Sequence, residues 1–341
     1  MSIYDLDLAP LEALVNSWDA PTYRAHQIWE GIYGHLYATW DEFTTLPIGL
    51  RTRLAAEFAI APLVTAAHLN SSDGQTRKTA FRLEDGQQIE TVEMRYPRRV
   101  TLCVSTQAGC AMGCVFCATG QMGFKRHLSS GEIVAQVLYF ARSLRPEGLR
   151  LTNIVLMGMG EPFHNYANTM AAIDRLSHPK GFNFGARRFT ISTVGLPPLI
   201  RRFADEKRQV NLAISLHAAD DRTRSDILPV NRKYKIAEVL DACRYYVGET
   251  GRRVTFEWAL IDGVNDSLEQ ARGLGTLLRG ILCHVNAIPL NPTAGYGGEA
   301  SSRARALLFK AELQRLGIPC SLRLRRGIDI AAGCGQLMVV V

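Results

Sequence analysis

No stretch of this chain is apolar for the roughly 20 residues that a membrane-spanning helix needs. The opening residues, MSIYDLDLAPLEALVNSWD, are acidic and carry no long apolar core, so neither a secretory leader nor a membrane anchor is expected there. Low-complexity segments are missing, as is any repeat beyond a strand–helix unit. With 47% hydrophobic and 21% charged residues over 341 positions, the composition is that of a globular protein with a full core. Negative charge is in short supply: 39 Lys and Arg face 32 Asp and Glu, for a net +7 and a pI of about 9.0. The surplus recurs in pairs such as Arg98–Arg99, Lys125–Arg126, Arg187–Arg188 and Arg325–Arg326. Such pairs favour a polyanionic partner, nucleic acid before membrane, although they would also serve as an ordinary solvated face. Without an export signal, the eight cysteines read as thiols or metal ligands in a reducing cytoplasm rather than as a disulfide frame.

Helical spacing fills the first 60 residues. Pro21 suits a first turn, and Ile28, Trp29, Ile32, Tyr33 and Leu36 follow at helical intervals as core. Asp41 is placed to cap a short second helix, and Pro47 to precede a third with Leu50, Leu54 and Phe58. TAFRL and IETVEM then flank EDGQQ, a hairpin turning on Asp-Gly. Strand alternation puts Glu90 on one face with Val92 and Met94. A carboxylate there is either at a wet sheet edge or held for chemistry. From residue 100, VTLCV, NIVLMGM, RFTIST, NLAISL, RVTFEWAL, HVNAIPL and SLRLR alternate with helical segments such as SGEIVAQVLYFARSL. That alternation predicts right-handed βα units and a parallel sheet, open or curled into a partial (β/α)6-type barrel. The α/β chain thus divides into a helical module at 1–60, a β-hairpin extension at 61–98 and the βα part at 99–341.

Chemistry in such folds gathers where strands end. CAMGCVFC follows the first of these strands, Gly158–Pro162 the second, Ser192 and Thr193 the third, Ser215–His217 the fourth, Asn291 and Pro292 the sixth, and Gly333–Gly335 the last. CAMGCVFC sets Cys110, Cys114 and Cys117 at C-x3-C-x2-C, with no fourth cysteine close by. A structural zinc would need Cys103, Cys334 or a histidine as its fourth ligand. An iron–sulfur cluster also takes thiolates, and three of them on a 4Fe–4S cluster leave one iron open to a molecule bearing an amine and a carboxylate. Gly113 would let the loop turn, and Val115 and Phe116 would keep water away. The motif alone leaves both readings open.

The Phe-Cys ending of the cysteine motif is similar to the signature of radical S-adenosylmethionine (SAM) enzymes, and GMGEP resembles their amine-binding turn. ETVEM, CVSTQAGCAMGCVFCATGQMGF, MGMGEP, ISLHA, NPT and DIAAGCGQL, in that order, resemble the RlmN/Cfr family of RNA adenosine methyltransferases over nearly the whole chain. YRAHQIWEGIY and LPIGLR place it on the RlmN side.

The resemblance implies a radical SAM partial barrel in which Cys110, Cys114 and Cys117 hold the 4Fe–4S cluster. Gly160 and Glu161 would meet the SAM amine, and Ser192, Ser215, Leu216, His217 and Asn291 the rest of SAM. Cys334 would carry a methyl group, Cys103 would release product and form a disulfide with Cys334, and Glu90 would accept the ring proton. Two SAM per turnover would methylate carbon 2 of adenosine in 23S rRNA and tRNA through a covalent protein–RNA intermediate. An external electron donor such as flavodoxin or ferredoxin, a cytoplasmic monomer and no membrane partner complete the expectation. The alternatives are a Cfr-like carbon-8 enzyme, another radical enzyme of this superfamily, and a non-catalytic zinc-containing RNA-binding protein. Gly333 departs from the commoner Ala-Ala-Cys before the methyl-carrying cysteine, with unchanged spacing. Cys243, Cys283 and Cys320 match no functional position and read as structural.

Overall fold

The computed structural model describes residues 2–323 and 325–338. Leu324, within the expected strand SLRLR, and the last three positions of the 99–341 segment therefore lie outside the described residues. Three helices, α1 (Leu8–Ser17), α2 (Tyr23–Tyr33) and α3 (Ile48–Glu57), make up the N-terminal module. The stripe of α2 buries Ile28, Trp29, Ile32 and Tyr33 as its spacing requires. The expected cap at Asp41 is corrected. The Trp40–Glu42 turn is a 3-10 turn held by a capping box between Thr39 and Glu42, because the residue that flanks the turn, not one inside it, can reach its free N–H groups. The module is tied to the rest by Arg175, which donates to Asp7 Oδ1 at 2.7 Å and to the Asp5 carbonyl at 3.2 Å.

Three antiparallel strands follow: β1 (Val64–Asn70), β2 (Thr76–Arg82) and β3 (Gln88–Tyr96). The β2–β3 hairpin turns through Asp85 and Gly86, with Phe81 opposite Ile89. Next comes β4 (Arg99–Cys103), then a small antiparallel pair, β5 (Gln107–Gly109) and β6 (Phe124–His127), which encloses the cysteine loop and a one-turn helix α4 (Ala118–Gln121). Strand–helix alternation then runs through α5 (Ser130–Leu144), β7 (Asn153–Leu156), α6 (Tyr166–Ser177), β8 (Phe189–Thr193), α7 (Pro197–Asp205), β9 (Asn211–Ser215), α8 (Asp221–Ile227), α9 (Ile236–Thr250), β10 (Val254–Leu260), α10 (Leu268–Leu277), β11 (Cys283–Pro289), α11 (Arg303–Arg315) and β12 (Cys320–Leu322).

One sheet of ten strands, ordered β1-β2-β3-β4-β7-β8-β9-β10-β11-β12, spans the chain. From β4 onward every neighbour is parallel, and among the described residues β12 is an end of the sheet order, so the parallel part is a partial barrel that stays open there. The pleat sorts side chains. In β10, Val254, Phe256, Trp258 and Leu260 are fully buried on one face, while Glu257 and Ala259 point the other way. The same alternation turns Ser192, Ser215 and Ile288 inward with them.

Candidate active site

A cavity opens at the ends of the parallel strands. Its wall includes Cys110, Cys114 and Cys117 on one side and, on the other, Gly160, Glu161, Ser192, Ser215, His217 and Asn291. Leu216 is the exception among the expected residues: its side chain is fully buried in the core, because strand alternation turns it away from Ser215. Cys334 and Gly335, from the C-terminal loop, also line this cavity.

The cysteine loop is fastened by main-chain bonds. Cys110 N donates to Gly123 O at 3.0 Å, Val115 N to Ile227 O at 3.1 Å, and Cys117 N to Cys114 O at 3.1 Å. Burial pushes all three thiols up, Cys110 to about 12, so they hold their protons until a cationic centre displaces them. Among the described residues no three His, Cys, Asp or Glu side chains converge on a point that would hold one metal ion. Thiols spread along a cavity wall suit a group with volume of its own better than a lone zinc.

Glu161 is 3% exposed. It accepts from Phe163 N and Val194 N, each at 2.9 Å, yet burial still raises its carboxyl to about 7. A buried carboxyl of this kind is stabilised in its charged form by an incoming ammonium group. Gly160 makes the approach possible. Its φ is +100°, and a Cβ there would lie 2.5 Å from Gln107 Cβ and 2.8 Å from Gln107 N. Gln107 Oε1 in turn accepts from Glu161 N at 2.8 Å.

His217 is buried, and desolvation lowers its imidazole to about 3, so it is neutral. Its Nδ1 accepts from Ala259 N at 2.9 Å, which leaves the proton on Nε2. Its ring meets Phe116 edge-on at 5.1 Å, joining the cysteine loop to β9. Asn291 donates to Cys334 O at 3.0 Å, while its buried Oδ1 has no partner among the described residues. An unpartnered acceptor on a cavity wall calls for a donor from a ligand. Three thiols, a raised carboxyl, two strand-end serines and a free amide oxygen fit a thiolate-bound cluster together with a molecule bearing an ammonium group and hydroxyls.

Against this cavity lies a second, lined by Cys103, Met94, Tyr96, Arg323, Arg325 and Arg326 among others. Cys334 lines both. Its loop is stitched to α4, where Ala118 N donates to Gly335 O at 2.7 Å and Thr119 Oγ1 to Leu337 O at 2.6 Å. Cys103 stands opposite Val92 in the β3–β4 pair, on the face shared with Glu90 and Met94. Burial, and next the neighbouring Cys334, push the Cys103 thiol up to about 12. The guanidinium groups of Arg99 and Arg326 lie 4.1 and 4.3 Å from the centre of the ring of Tyr96, which lines this second cavity.

Glu90 is not at a sheet edge. β3 lies between β2 and β4, and Glu90 is 3% exposed. Lys78 Nζ sits 2.9 Å from its Oε1, and the main chain of Met338 also meets the carboxyl group. Burial pushes its carboxyl up against the pull of Lys78. It lines neither cavity wall. Sequence reasoning missed Lys78, Glu257 and Arg323. Glu257 lines the first cavity, is 6% exposed, and accepts from Asn286 Nδ2 at 2.7 Å. The signal was there: a charge inside the apolar runs FEW and KTAF is either paired or functional.

Residues 1–60 match the ribosomal RNA large subunit methyltransferase N-terminal domain, and 104–273 the radical SAM superfamily. Dual-specificity RNA methyltransferase RlmN 1 of Myxococcus xanthus is 50% identical, covering 100% of this chain and 95% of its own. A probable dual-specificity RNA methyltransferase RlmN of Chloroflexus aurantiacus is 49% identical, covering 98% and 92%. The crystal structure of a radical SAM methyltransferase from Sphaerobacter thermophilus superposes with a TM-score of 0.97 at 54% identity over 99% of both chains. With relatives of this identity spanning its full length, and with the cysteine loop, the glycine–glutamate turn and the C-terminal cysteine on one cavity, the chain belongs to the RlmN family of radical SAM methyltransferases.

Proposed function

We infer that this protein methylates carbon 2 of adenosine in 23S rRNA and tRNA, and the observation that carries the reading is Cys334 on the shared wall of the two cavities. Cys110, Cys114 and Cys117 hold the 4Fe–4S cluster, and Gly160, Glu161, Ser192, Ser215, His217 and Asn291 hold SAM, with Leu216 contributing only its backbone. Bound there, the two cofactors supply a methyl group and, on one-electron reduction, a carbon-radical initiator. Cys334 receives the methyl group on its sulfur from the side of the first cavity. From the side of the second, having lost a hydrogen atom to the initiator, that carbon bonds to an adenine held among Tyr96 and the arginines, and the ring then gives up its proton and one electron, the electron to the one-electron carrier. Glu90 takes the ring proton: it stands on the β3 face shared with Met94 of the second cavity, one residue behind that wall, and burial raises its carboxyl above that of an exposed glutamate. The Cys103 thiolate then attacks the Cys334 sulfur; the sulfur–carbon bond breaks with its electron pair on the carbon, which takes a proton to become the methyl group of the product, and a Cys103–Cys334 disulfide is left.

Arg99, Arg325 and Arg326 give the RNA backbone a basic rim. Residues 1–60 act as an accessory RNA module, 61–98 as its β-hairpin extension, and 99–341 as the catalytic barrel. The protein works as a cytoplasmic monomer served by a flavodoxin- or ferredoxin-type donor; no described helix is long and apolar enough to cross a membrane. Mass spectrometry of methyladenosine isomers in rRNA and tRNA, from cells with and without the gene, tests the reading. Loss of 2-methyladenosine is expected. Loss of the 8-methyl isomer instead assigns carbon 8, and an unchanged profile refutes the activity.

A further inference from the structure

Arg224, on α8, is fully withdrawn from water. All five of its N–H donors are used. Nε donates to Leu216 O at 3.1 Å, Nη1 to Asn231 Oδ1 at 2.8 Å and Tyr234 O at 3.4 Å, and Nη2 to Val194 O at 2.6 Å and Ser215 O at 3.3 Å. Every acceptor is uncharged. Asp221 is reached only through Asn231, whose Nδ2 donates to Asp221 Oδ1 at 3.0 Å, and Asp221 is itself exposed to water. A buried guanidinium without a carboxylate partner is costly unless another anion stands close. Cys114 packs with Val194, Ile227 and Leu228 in one small buried cluster. Arg224 grips the carbonyl of Val194, and Ile227 of its own helix accepts from Val115 N, next to Cys114. The three thiols carry no charge when protonated; as cluster ligands they are thiolates, and the missing anion is supplied.

We propose that Arg224 is the built-in counter-charge of the iron–sulfur site, a positioning residue that holds the strand-end carbonyls and raises the potential at which the site accepts an electron. The proposal rests on the iron–sulfur reading above. One electron passes from an external low-potential reductant to the cluster, and a fixed cation beside it favours the more negative, reduced state. Because four of the five acceptors are main-chain carbonyls, the cation cannot swing away when the cluster changes charge.

The test uses full-length protein reconstituted anaerobically with iron and sulfide, as wild type, Arg224→Gln, Arg224→Lys and Asn231→Asp. Asn231→Asp leaves Arg224 in place and sets a carboxylate where Nη1 already finds an oxygen at 2.8 Å. Iron and sulfide are counted first; a wild type that takes up neither defeats the underlying reading. Midpoint potentials follow from an electron-paramagnetic-resonance titration with dithionite, without RNA. Arg224→Gln and Asn231→Asp are expected to shift the potential negative, and Arg224→Lys to stay near wild type. A residue that only supports the fold would lower stability in all three without moving the potential. Loaded variants with the wild-type potential, or a lysine variant shifted as far as the glutamine one, overturn the proposal. Should Arg224→Gln fail to fold, Asn231→Asp decides.

Discussion

Glu257→Gln should stabilise the cofactor-free protein, and only at higher pH. Glu257 is 6% exposed, faces the first cavity from β10, and is held by desolvation at about 7, against 4.5 for a free glutamate. Arg323 and the bond from Asn286 pull the other way and do not offset the burial. Below pH 4.5 the carboxyl is protonated folded and unfolded, so it adds no penalty. Between 4.5 and 7 the unfolded chain ionises while the folded one keeps its proton; stability then falls with rising pH, and the loss is complete above 7. At about 1.4 kcal/mol per pKa unit, the loss at pH 8 is on the order of 3 kcal/mol. Glutamine keeps an oxygen for Asn286 and carries no charge to desolvate. The variant should therefore match wild type near pH 4 and exceed it by about 3 kcal/mol at pH 8. Equilibrium urea unfolding across pH 4–8 reads this directly. A difference that does not change with pH would refute the argument, because it would mean that the buried carboxyl titrates as it does in water.

Gly160→Ala should abolish SAM binding in equilibrium titrations: the left-handed φ costs about 1–2 kcal/mol for a residue with a Cβ, and the overlap with Gln107 displaces the turn that carries Glu161. Cys103→Ala should accumulate a ribonuclease-sensitive protein–RNA crosslink on denaturing gels, since nothing then attacks the Cys334 sulfur; normal turnover would remove Cys103 from the release step. RNA affinity should fall with salt on a log–log plot, with a slope of roughly −0.7 to −0.9 per phosphate neutralised; a flat plot would take the arginine rim out of RNA binding.

The parallel strands were readable because each is an apolar run followed by small or polar residues, and the same pleat that buries Phe256 and Trp258 exposes Glu257 to the cavity. The strand ends could therefore be listed from sequence, down to Ser192, Ser215 and Asn291. Leu216 shows the limit, since its place in a motif says nothing of which way its side chain turns. The β5–β6 pair went unseen: three- and four-residue strands have too few positions to display a period. The outer strand β1 hides for another reason: its sequence VTAAHLN buries no residue fully and leaves Val64 and Leu69 exposed, so no apolar face alternates along it. Glu90 was placed on the correct face, but its partner Lys78 comes from the neighbouring strand, and register cannot be read from one strand alone. The double exposure of Cys334 depends on a C-terminal loop whose path is set by bonds to α4 and Asn291, neither of them near it in sequence.

Those bonds couple the fates of two loops. The residues just after Cys117 are also the anchors for the segment that carries Cys334, through Gly335 O and Leu337 O. Loss of order in the cysteine loop is therefore passed within a few ångströms to the wall that the two cavities share. Damage to the cysteine loop should loosen the wall between the cavities as well, so that two segments joined across 218 positions of sequence fail together.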